Sequence, residues 1–400
     1  MNAPLATPLR PPPDAPAHAS SIARVPREVW QAPHVFTSPE YLSALEAFAG
    51  DARFHYALRR SSDGVTGGAV FRTFDLRVAE HLPLLATDFA GTSTLPVRWR
   101  PFFASLLERF RLRVVLCGNV FSAGPHGHWG SQGAGFNRWL GEEARRVARD
   151  VAEPGVRVLV ILKDVATCAS DTPGDDFAAF SEDPAMALSL HPAWADLEDY
   201  ARALRSGYRR EFHRVRTRGA ALVREEFSAR DILASAPRID ALHGAVLARA
   251  RVLPARKSAH LFARLKDALG PRFSLVAYRH RGRLVAFNTR YDCGDELESH
   301  YFGVDPEVSE TLALYKNLLF DDIAEAIARG RRRVMFGRDA QEVKSALGAQ
   351  PVPYVSFVWT DSRLSTALLA AVARRLSRVR WTPRRPFRAV RESPRAPQSG

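Results

Sequence analysis

The chain has 400 residues, of which 46% are hydrophobic and 25% are charged, and this composition excludes disorder throughout and indicates a globular protein. The length favours two domains, because one hydrophobic core rarely extends over so many residues. The formal net charge is +14, but residues 374–395 carry nine arginines and one acid and hold +8 of it. Because the remainder is only mildly basic, the charge by itself does not indicate a nucleic-acid-binding fold.

The cysteines and the N-terminus favour an intracellular protein. Cys117, Cys168 and Cys293 form an odd, widely spaced set, so we expect thiols in a reducing compartment without a disulfide frame or a metal site. The N-terminal residues contain no apolar run long enough for a signal peptide, and no stretch approaches the roughly 18 apolar residues of a membrane span. We therefore expect a cytoplasmic protein, or one held peripherally at the inner membrane surface.

The first half of the chain predicts a mixed α/β unit. Residues 1–33 are rich in Pro and Ala and predict a disordered tail. The predicted elements that follow are a helix at EYLSALEAFAG, strands at RFHYALRR and GGAVFRTFDLRV, a helix at RWRPFFASLLERF, a strand at LRVVLCGNVF, a glycine-rich loop, a helix at FNRWLGEEARRVARD and a strand at VRVLVILKD.

The second half predicts another mixed unit after a polar, Asp-rich loop. A long helix is predicted over about residues 196–218, because apolar residues from Tyr200 to Val215 recur every three or four positions. The predicted elements that follow are a strand at AALVREEF, helices near 239–251 and 258–269, three strands joined by tight turns (RFSLVAYR, RLVAFNTRYD, ELESHYFGV), a helix over 309–329, a strand at RRVMF, a short helix over 340–346, a strand at PVPYVSFVW and an amphipathic helix over 362–379.

The order of these elements predicts an α/β fold with mixed sheets. An antiparallel meander that runs into a helix and a short strand favours one parallel crossover, unlike the strict alternation of a Rossmann fold. No glycine-rich dinucleotide motif or P-loop stands in the required context. We predict an N-terminal domain over residues 34–190, a C-terminal domain over 191–361, and an amphipathic helix with a basic tail over 362–400.

Six patches along the chain are informative together: VVLCGNVFSAGPHG, ILKD, WADLEDYARALRSGYRREFHRVRTRG, YFGVD, LYKNLLFDDIAEAIARG and MFGRDAQEVKSALG. In their order and spacing they resemble the GNAT (general N-acetyltransferase) superfamily, and within it the tandem-domain, Fem-like branch of peptidoglycan-biosynthesis-like acyltransferases. The resemblance implies two tandem GNAT-like domains and an N-acyltransferase that moves an acyl group from a thioester, acyl-coenzyme A, to an amine by direct attack. It implies acyl-CoA as a co-substrate, no permanently bound cofactor, no metal, and a small-molecule or peptide amine as acceptor.

Donor phosphates are best bound by a helix N-terminus. The candidate loop contains Gly130, Gly133 and Gly135 before a helix, although Gly130 stands where the similar GNAT loop begins with Gln or Arg. The N-terminus of the predicted helix 309–329 ranks lower, because Glu307 and Glu310 beside it would repel a phosphate.

Further candidates follow from the strand that, by the resemblance, holds the thioester side of the donor. His300 is a candidate general base, Tyr301 a donor-binding residue, and Asp305 either a catalytic group or a turn cap. Tyr315, in the next helix, could protonate the departing thiolate or merely pack.

Three basic residues complete the set. Lys344 is one of only five lysines among 57 basic residues, and a lysine in a similar segment of Fem-like proteins lies near the acceptor or the donor phosphates. It is a catalytic candidate, with a solvated helix lysine as the alternative. Arg209 and Arg210, on the arginine-rich helix, could bind an anionic donor or face solvent.

Two other functions remain open on the sequence. An aminoacyl-tRNA-dependent transferase acting on a peptidoglycan-type precursor predicts salt-sensitive tRNA binding, the one role expected for nucleic acid. The absence of a recognisable coiled-coil insertion speaks against it. A degenerate acyltransferase fold could instead act as a binding or membrane-surface scaffold, with the C-terminal basic helix on anionic lipid.

Overall fold

The structure is a computed structural model that describes residues 17–62, 64–77, 111–120, 122–130, 135–165, 171–248, 258–376 and 381–388. Their strands form two mixed sheets, which confirms the predicted α/β class. The strands are β1 (His18–Ala19), β2 (Arg53–Ser61), β3 (Gly64–Arg77), β4 (Arg111–Cys117), β5 (His128–Gly130), β6 (Arg157–Val165), β7 (Ala178–Phe180), β8 (Ala185–Ser189), β9 (Val223–Glu226), β10 (Phe273–His280), β11 (Arg283–Asp292), β12 (Glu296–Val304), β13 (Arg333–Met335), β14 (Gln350–Val352) and β15 (Val355–Thr360). The α-helices are α1 (Pro39–Glu46), α2 (Phe136–Asp150), α3 (Leu197–Ala203), α4 (Ser206–Arg218), α5 (Ala229–Ala234), α6 (Ala236–Leu247), α7 (Ala259–Leu269), α8 (Pro306–Ser309), α9 (Leu314–Ala328), α10 (Gln341–Ala346) and α11 (Arg363–Leu376).

The first sheet has the strand order β1-β2-β3-β4-β6-β15-β7, with β5 paired to β3. Its neighbours are antiparallel except β4 and β6, which are parallel and are connected through α2. This helix forms because Phe136, Leu140, Ala144 and Val147 recur on one face and are fully buried against the sheet.

The second sheet has the strand order β14-β8-β13-β12-β11-β10-β9. Strands β10, β11 and β12 form the predicted antiparallel meander, and β12 and β13 are its parallel pair, connected through α9. The single parallel crossover expected from the sequence is therefore confirmed for this sheet.

The two sheets exchange strands. β8 comes from before residue 190 but pairs with β13 and β14 in the second sheet. β15 comes from near the end of the chain but lies between β6 and β7 in the first sheet. Each sheet thus contains a strand from the other predicted domain, and the boundary between residues 190 and 191 stays a prediction.

One core cluster also spans both halves. Trp30, Phe36 and Tyr41 from the first half pack in the same cluster as Phe262 and Tyr291 from the second. The prediction of a disordered tail over residues 1–33 is therefore wrong for residues 17–33, whereas residues 1–16 lie outside the described residues. A high Pro and Ala content does not by itself make this segment disordered, because a few spaced apolar side chains are enough to pack it against the core.

The predicted helix over 196–218 is two helices, α3 and α4. Leu204 ends the first helix in an extended conformation and forms an isolated β-bridge with Phe387. The Arg205 N–H then donates to Pro386 O at 2.8 Å. Residues 381–388, the C-terminal strap, thus supply tertiary hydrogen bonds at the helix break, which the periodicity of α3 and α4 could not reveal.

Two other predicted elements differ from the structure or lie outside it. The helix predicted over 309–329 begins only at Leu314, because α8 ends at Ser309 and Ala313, with a left-handed φ of +48°, precedes α9. The predicted helix RWRPFFASLLERF lies outside the described residues. Within the described part of the chain, no helix is long and apolar enough to cross a membrane.

Candidate active site

β12 and β13 separate after three paired residues, and the gap between them is the centre of the candidate site. Their pairing ends at Glu298 and Met335. The chain then follows β8: the Phe336 N–H donates to Met186 O at 2.8 Å, and the Met186 N–H donates to Gly337 O at 3.0 Å. No described strand pairs with the β13 side of β12 beyond this point. The gap is therefore a place where an extended ligand can lie beside β12.

A β-bulge lies on β12 next to this gap. His300 and Tyr301 together lie opposite Thr289, since the register shifts by one residue there. The Thr289 hydroxyl satisfies the bulged backbone, accepting from the Tyr301 N–H at 2.8 Å and donating to Tyr301 O at 3.0 Å. A bulge bends its strand and is frequent beside active sites.

The N-terminus of α9 has the properties of an anion site. The helix begins at Leu314, its first turn contains no acid, and Ala313 at the N-cap makes no side-chain capping hydrogen bond. Glu307 lies in α8 and Glu310 in the link between the helices. The sequence argument against this terminus rested on one continuous helix, and it fails because the helix begins five residues later.

The glycine-rich loop is less suited to phosphate than expected. Gly130 lies in β5 opposite Gly67, where a Cβ would overlap the facing backbone, so packing explains this glycine. Gly135 is the left-handed N-cap of α2, with a φ of +81°. The N–H of Asn137, the second residue of α2, already donates to Asp171 Oδ2 at 3.1 Å. A carboxylate thus occupies this helix end. Gly133 lies outside the described residues.

Lys344 is buried at the end of β13, not solvated on the helix surface. Its side chain is 3% exposed, and Nζ donates to the carbonyl oxygens of Gly337 and Arg338. Burial lowers the pKa of Lys344 from 10.5 to about 7, although the carboxylate of Asp339 opposes the change. An amine that is half protonated at neutral pH can take up and release protons there.

Tyr315 lies in the first turn of α9, and its ring is 5.0 Å from that of Phe302 on β12. Burial, with the carboxylates of Asp339 and Asp322, raises the pKa of Tyr315, so its hydroxyl stays protonated at neutral pH. The carboxylate of Asp339 thus raises the pKa of both Tyr315 and Lys344, although burial lowers that of Lys344 further.

Strained backbone concentrates around this site. Of the five non-glycine residues with positive φ in the described part of the chain, Ala313 begins α9 and Asp339 and Ala340 precede α10. Asp164 is a fourth, and it binds the side chain of Arg338, whose backbone carbonyl accepts from Lys344. Such conformations cost free energy and cluster at functional sites.

A cavity of about 400 Å³ lies between α9 and α10. Tyr208 and Glu211 of α4 and the C-terminal strap complete its wall. Two ion pairs lie at its edges, one from Lys316 to Glu211 at 2.6 Å and one from Arg384 to Glu342. The volume is that of a small-molecule pocket.

Asp305 has a structural role in this geometry. The buried carboxylate accepts hydrogen bonds from Arg238 at 2.6 Å and Arg283 at 2.7 Å, and from the Glu307 N–H at 3.1 Å. Burial alone would raise the pKa of Asp305, but these hydrogen bonds and the two arginines hold it below its usual range. The alternative noted on the sequence, a cap before α8, describes its contacts.

His300 and Tyr301 lie on the other face of β12 from Tyr315. The His300 ring packs on Phe36 at 5.4 Å and on Tyr291 at 5.0 Å between centroids. Tyr301 packs on Phe262. His300 and Tyr301 thus lie in the core between the two halves, whereas the pKa values of Tyr315 and Lys344 both respond to the Asp339 carboxylate.

Arg209 and Arg210 differ from the other arginines of α4. Arg214 pairs with Glu211, and Arg216 binds Asp321 at 2.7 Å. Arg209 is half-buried and Arg210 exposed, and neither has an ion pair with a described residue. Both remain available to an anion, but they are not in contact with Lys344.

A buried polar cluster between the halves was missed by the sequence analysis. Lys163 and Arg338 both bind Asp164, at 2.6 Å each. Nearby, His126 Nδ1 is 2.7 Å from Ser122 Oγ, and His126 Nε2 is 3.8 Å from a carboxylate oxygen of Glu298. Lys163 with Asp164, and Ser122 with His126, are close in sequence, but Arg338 and Glu298 come from distant segments, so the cluster as a whole has no sequence spacing.

Comparisons with known proteins agree with the geometry of the second half. The family model for the acetyltransferase (GNAT) domain matches residues 202–345, which include β9 to β13, α9 and Lys344. No curated protein matches the sequence.

Similar solved structures cover most of the chain. FemX is 10% identical with a TM-score of 0.49, over 86% of this chain and 96% of that chain. A tandem GNAT protein from the clavulanic acid biosynthesis pathway is 14% identical, with a TM-score of 0.42 over 83% and 91%. L-PGS from Bacillus licheniformis is 13% identical, with a TM-score of 0.41 over 84% and 93%. At these scores the three structures add nothing to the assignment, which rests on the family match: residues 202–345 are a GNAT acetyltransferase domain, and the protein is an acyltransferase.

Proposed function

We propose that the protein is an N-acyltransferase that transfers an acyl group from acyl-coenzyme A to an amine, and that the reaction takes place at the gap between β12 and β13. The observation that carries the proposal is the position of Lys344, a buried amine with a pKa near 7, where β13 leaves β12 within the GNAT domain. The uncapped N-terminus of α9 and the cavity beside α10 support it.

The donor is proposed to bind with its phosphates at the N-terminus of α9. The first-turn N–H groups carry partial positive charge, and the first turn also contains Lys316 and no acid. The thioester arm then lies along the gap beside β12. The cavity of about 400 Å³ between α9 and α10 is proposed to hold a part of the donor that does not react.

Lys344 is proposed to act as the general base. As a neutral amine it has two N–H groups, which the carbonyls of Gly337 and Arg338 accept, so its lone pair remains to take a proton. The acceptor nitrogen attacks the thioester carbon, the new C–N bond forms, the C–S bond breaks, and Lys344 takes the proton that the nitrogen loses. Tyr315, which stays protonated, supplies a proton to the departing thiolate.

An aminoacyl-tRNA donor is the second candidate. Arg209 and Arg210 favour it, since both lack an ion-pair partner among the described residues. It predicts tRNA binding that weakens steeply with salt. Replacing both arginines by glutamine would abolish that binding and leave acyl-CoA binding unchanged.

We also propose that the protein attaches peripherally to anionic membranes through α11. Leu364 and Leu368, on one side of this helix, are 82% and 63% exposed, while Ala370 is buried below them. From residue 362 to residue 391 the sequence contains nine arginines and no acid. Exposed leucines followed by arginines suit an anionic lipid surface.

The donor site is tested by calorimetric titration of the purified protein with coenzyme A and a panel of acyl-CoA compounds. Ala313→Asp places a carboxylate at the start of α9 and should weaken binding at least tenfold. Ala313→Asn has the same shape without the charge and is the matched control, and both residues tolerate left-handed backbone. Equal affinities of the two variants would exclude the α9 terminus as the phosphate site, and no binding to the wild type would refute the acyl-CoA donor.

A further inference from the structure

Three metal-ligand side chains from separate segments converge between the two halves of the chain. His34 precedes α1, His126 lies in the loop between β4 and β5, and Glu298 is on β12. One ligand atom of each lies within 4.8 Å of the other two. We propose that they form a binding site for one divalent transition-metal ion of the zinc type, which nothing in the family match or the proposed acyl transfer requires.

Glu298 is the strongest indication of a missing cation. Its side chain is 2% exposed, and no described residue donates a hydrogen bond to its carboxylate. The charged groups that face it are engaged elsewhere: Arg333 pairs with Glu296, and Lys163 donates to Asp164 and to Ser122 O. By contrast, the buried Asp305 has two arginines. A buried carboxylate without a partner is costly, and a bound cation would remove that cost.

His126 already has a suitable orientation, whereas the His34 ring would have to turn on its side chain. Ser122 Oγ lies 2.7 Å from His126 Nδ1, so the other ring nitrogen, Nε2, faces Glu298 at 3.8 Å. A hydrogen bond to the distal nitrogen is the usual second contact of a metal-binding histidine. The His34 ring stacks on that of His126 with centroids 4.3 Å apart and ring planes at 20°, so the two in-plane lone pairs do not yet converge. Binding through His34 Nε2 would therefore break this stacking and the long 3.3 Å contact from the Phe36 N–H to Nδ1.

The donor set selects the class of metal. Two imidazoles and one carboxylate suit Zn²⁺ and its neighbours, with bonds of about 2.0–2.2 Å and a fourth position for water or another ligand. Such bonds place tetrahedral ligand atoms about 3.4 Å apart, so separations of up to 4.8 Å have to shorten by as much as about 1.4 Å. Mg²⁺ and Ca²⁺ require six or more oxygen ligands and do not fit.

Bound metal would join the two halves at a defined point. His34 and His126 belong to the first half, whereas Glu298 is on the strand that carries the bulge at His300 and Tyr301. A metal there would fix β12 against the N-terminal segment. This role is independent of acyl transfer, so its failure leaves the proposed function untouched.

The test is metal titration of the untagged, full-length protein after chelator treatment and dialysis. With Co²⁺ we expect one ion per chain, visible absorption of a four-coordinate site, and displacement by one equivalent of Zn²⁺. Glu298→Gln and His126→Gln should each weaken binding at least 100-fold, and Ser122→Ala about tenfold. His213→Gln, an exposed histidine on α4, is the matched control and should bind as the wild type does.

The wild-type titration decides the proposal even where a variant fails to fold. No Co²⁺ or Zn²⁺ binding tighter than about 100 μM would overturn it. A thiolate charge-transfer band in the Co²⁺ spectrum would also overturn it, because it would place the metal on cysteine. Affinity unchanged in folded Glu298→Gln or His126→Gln would do the same.

Discussion

Lys344 should titrate near pH 7 and impose a pH dependence on the stability of the protein. The unfolded chain keeps the Lys344 proton up to about pH 10.5, whereas the folded protein releases it near pH 7. Unfolding therefore takes up a proton between these values, and the free energy of unfolding rises with pH by about 1.4 kcal/mol per pH unit there. Below pH 7 both states are protonated, and the buried ammonium then destabilises the fold by about 4–5 kcal/mol.

Lys344→Met is the informative variant, because methionine fills a similar volume without an amine. The variant loses two hydrogen bonds to backbone carbonyls, but this loss is the same at every pH. Relative to the wild type, its free energy of unfolding should therefore fall by about 2 kcal/mol between pH 7 and pH 9, because the slope is only half developed at pH 7. Lys266→Met, which removes a lysine paired with Glu226 at 2.5 Å, is the control.

Denaturant titrations at pH 6, 7, 8 and 9 measure the stability difference, and NMR measures the pKa directly. The chain has only five lysines, so ¹³C-labelled lysine gives few side-chain resonances. The resonance that disappears in Lys344→Met should shift with a midpoint near pH 7. Parallel stability curves for wild type and variant, or a midpoint above about pH 9.5, would show that Lys344 stays charged in the fold and cannot serve as a base at neutral pH.

Three further predictions concern other parts of the molecule. Asp305→Ala should lower the free energy of unfolding by about 3 kcal/mol, because two arginines and a backbone N–H lose their acceptor. The control Glu307→Ala should change the stability little, and the affinity for the donor should stay constant in both variants. A loss of donor affinity without a loss of stability would make Asp305 a functional residue. Gly348→Ala should release the C-terminal strap, because residue 348 has a φ of +95° and a Cβ there would overlap Phe387. Limited proteolysis should then cleave after residue 376 faster than in the wild type. Equal cleavage rates would contradict the contact between Gly348 and Phe387. The double variant Leu364→Ser, Leu368→Ser should no longer float with phosphatidylglycerol vesicles, whereas Val223→Ser, at an exposed position on β9, should still float. If the wild-type protein does not float with the vesicles either, the membrane proposal is refuted.

The fold was largely readable from the sequence because its signals are local. The meander of β10 to β12, its helix and the short strand β13 follow from alternation, turn residues and helical spacing within short windows. What the sequence could not show depends on distant contacts. The break at Leu204 and Arg205 is made by Pro386 and Phe387, far along the chain. The start of α9 depends on the left-handed conformation of Ala313, which cannot be predicted from the residue type because alanine rarely adopts it.

The site residues stay predictions, and the sequence offered only local reasons for them. Lys344 was chosen because a lysine is rare in this chain and stands in a segment similar to one of Fem-like proteins, and Tyr315 because it lies in the helix that follows the proposed donor strand. The burial that lowers the pKa of Lys344 was not predicted, since it comes from tertiary packing. His34, His126 and Glu298 were missed because they are distant in sequence, and each alone is an ordinary polar residue.

The exchange of β8 and β15 also fixes when each sheet can be completed during synthesis. One edge of β6 can pair only after β15 has been synthesised, and β15 begins 190 residues after β6 ends at Val165. Until Thr360 has left the ribosome, a long apolar strand therefore has one side unpaired, where it is open to misassembly with another chain. The nascent first half depends on the last strand of the second, so the two halves reach their native state together.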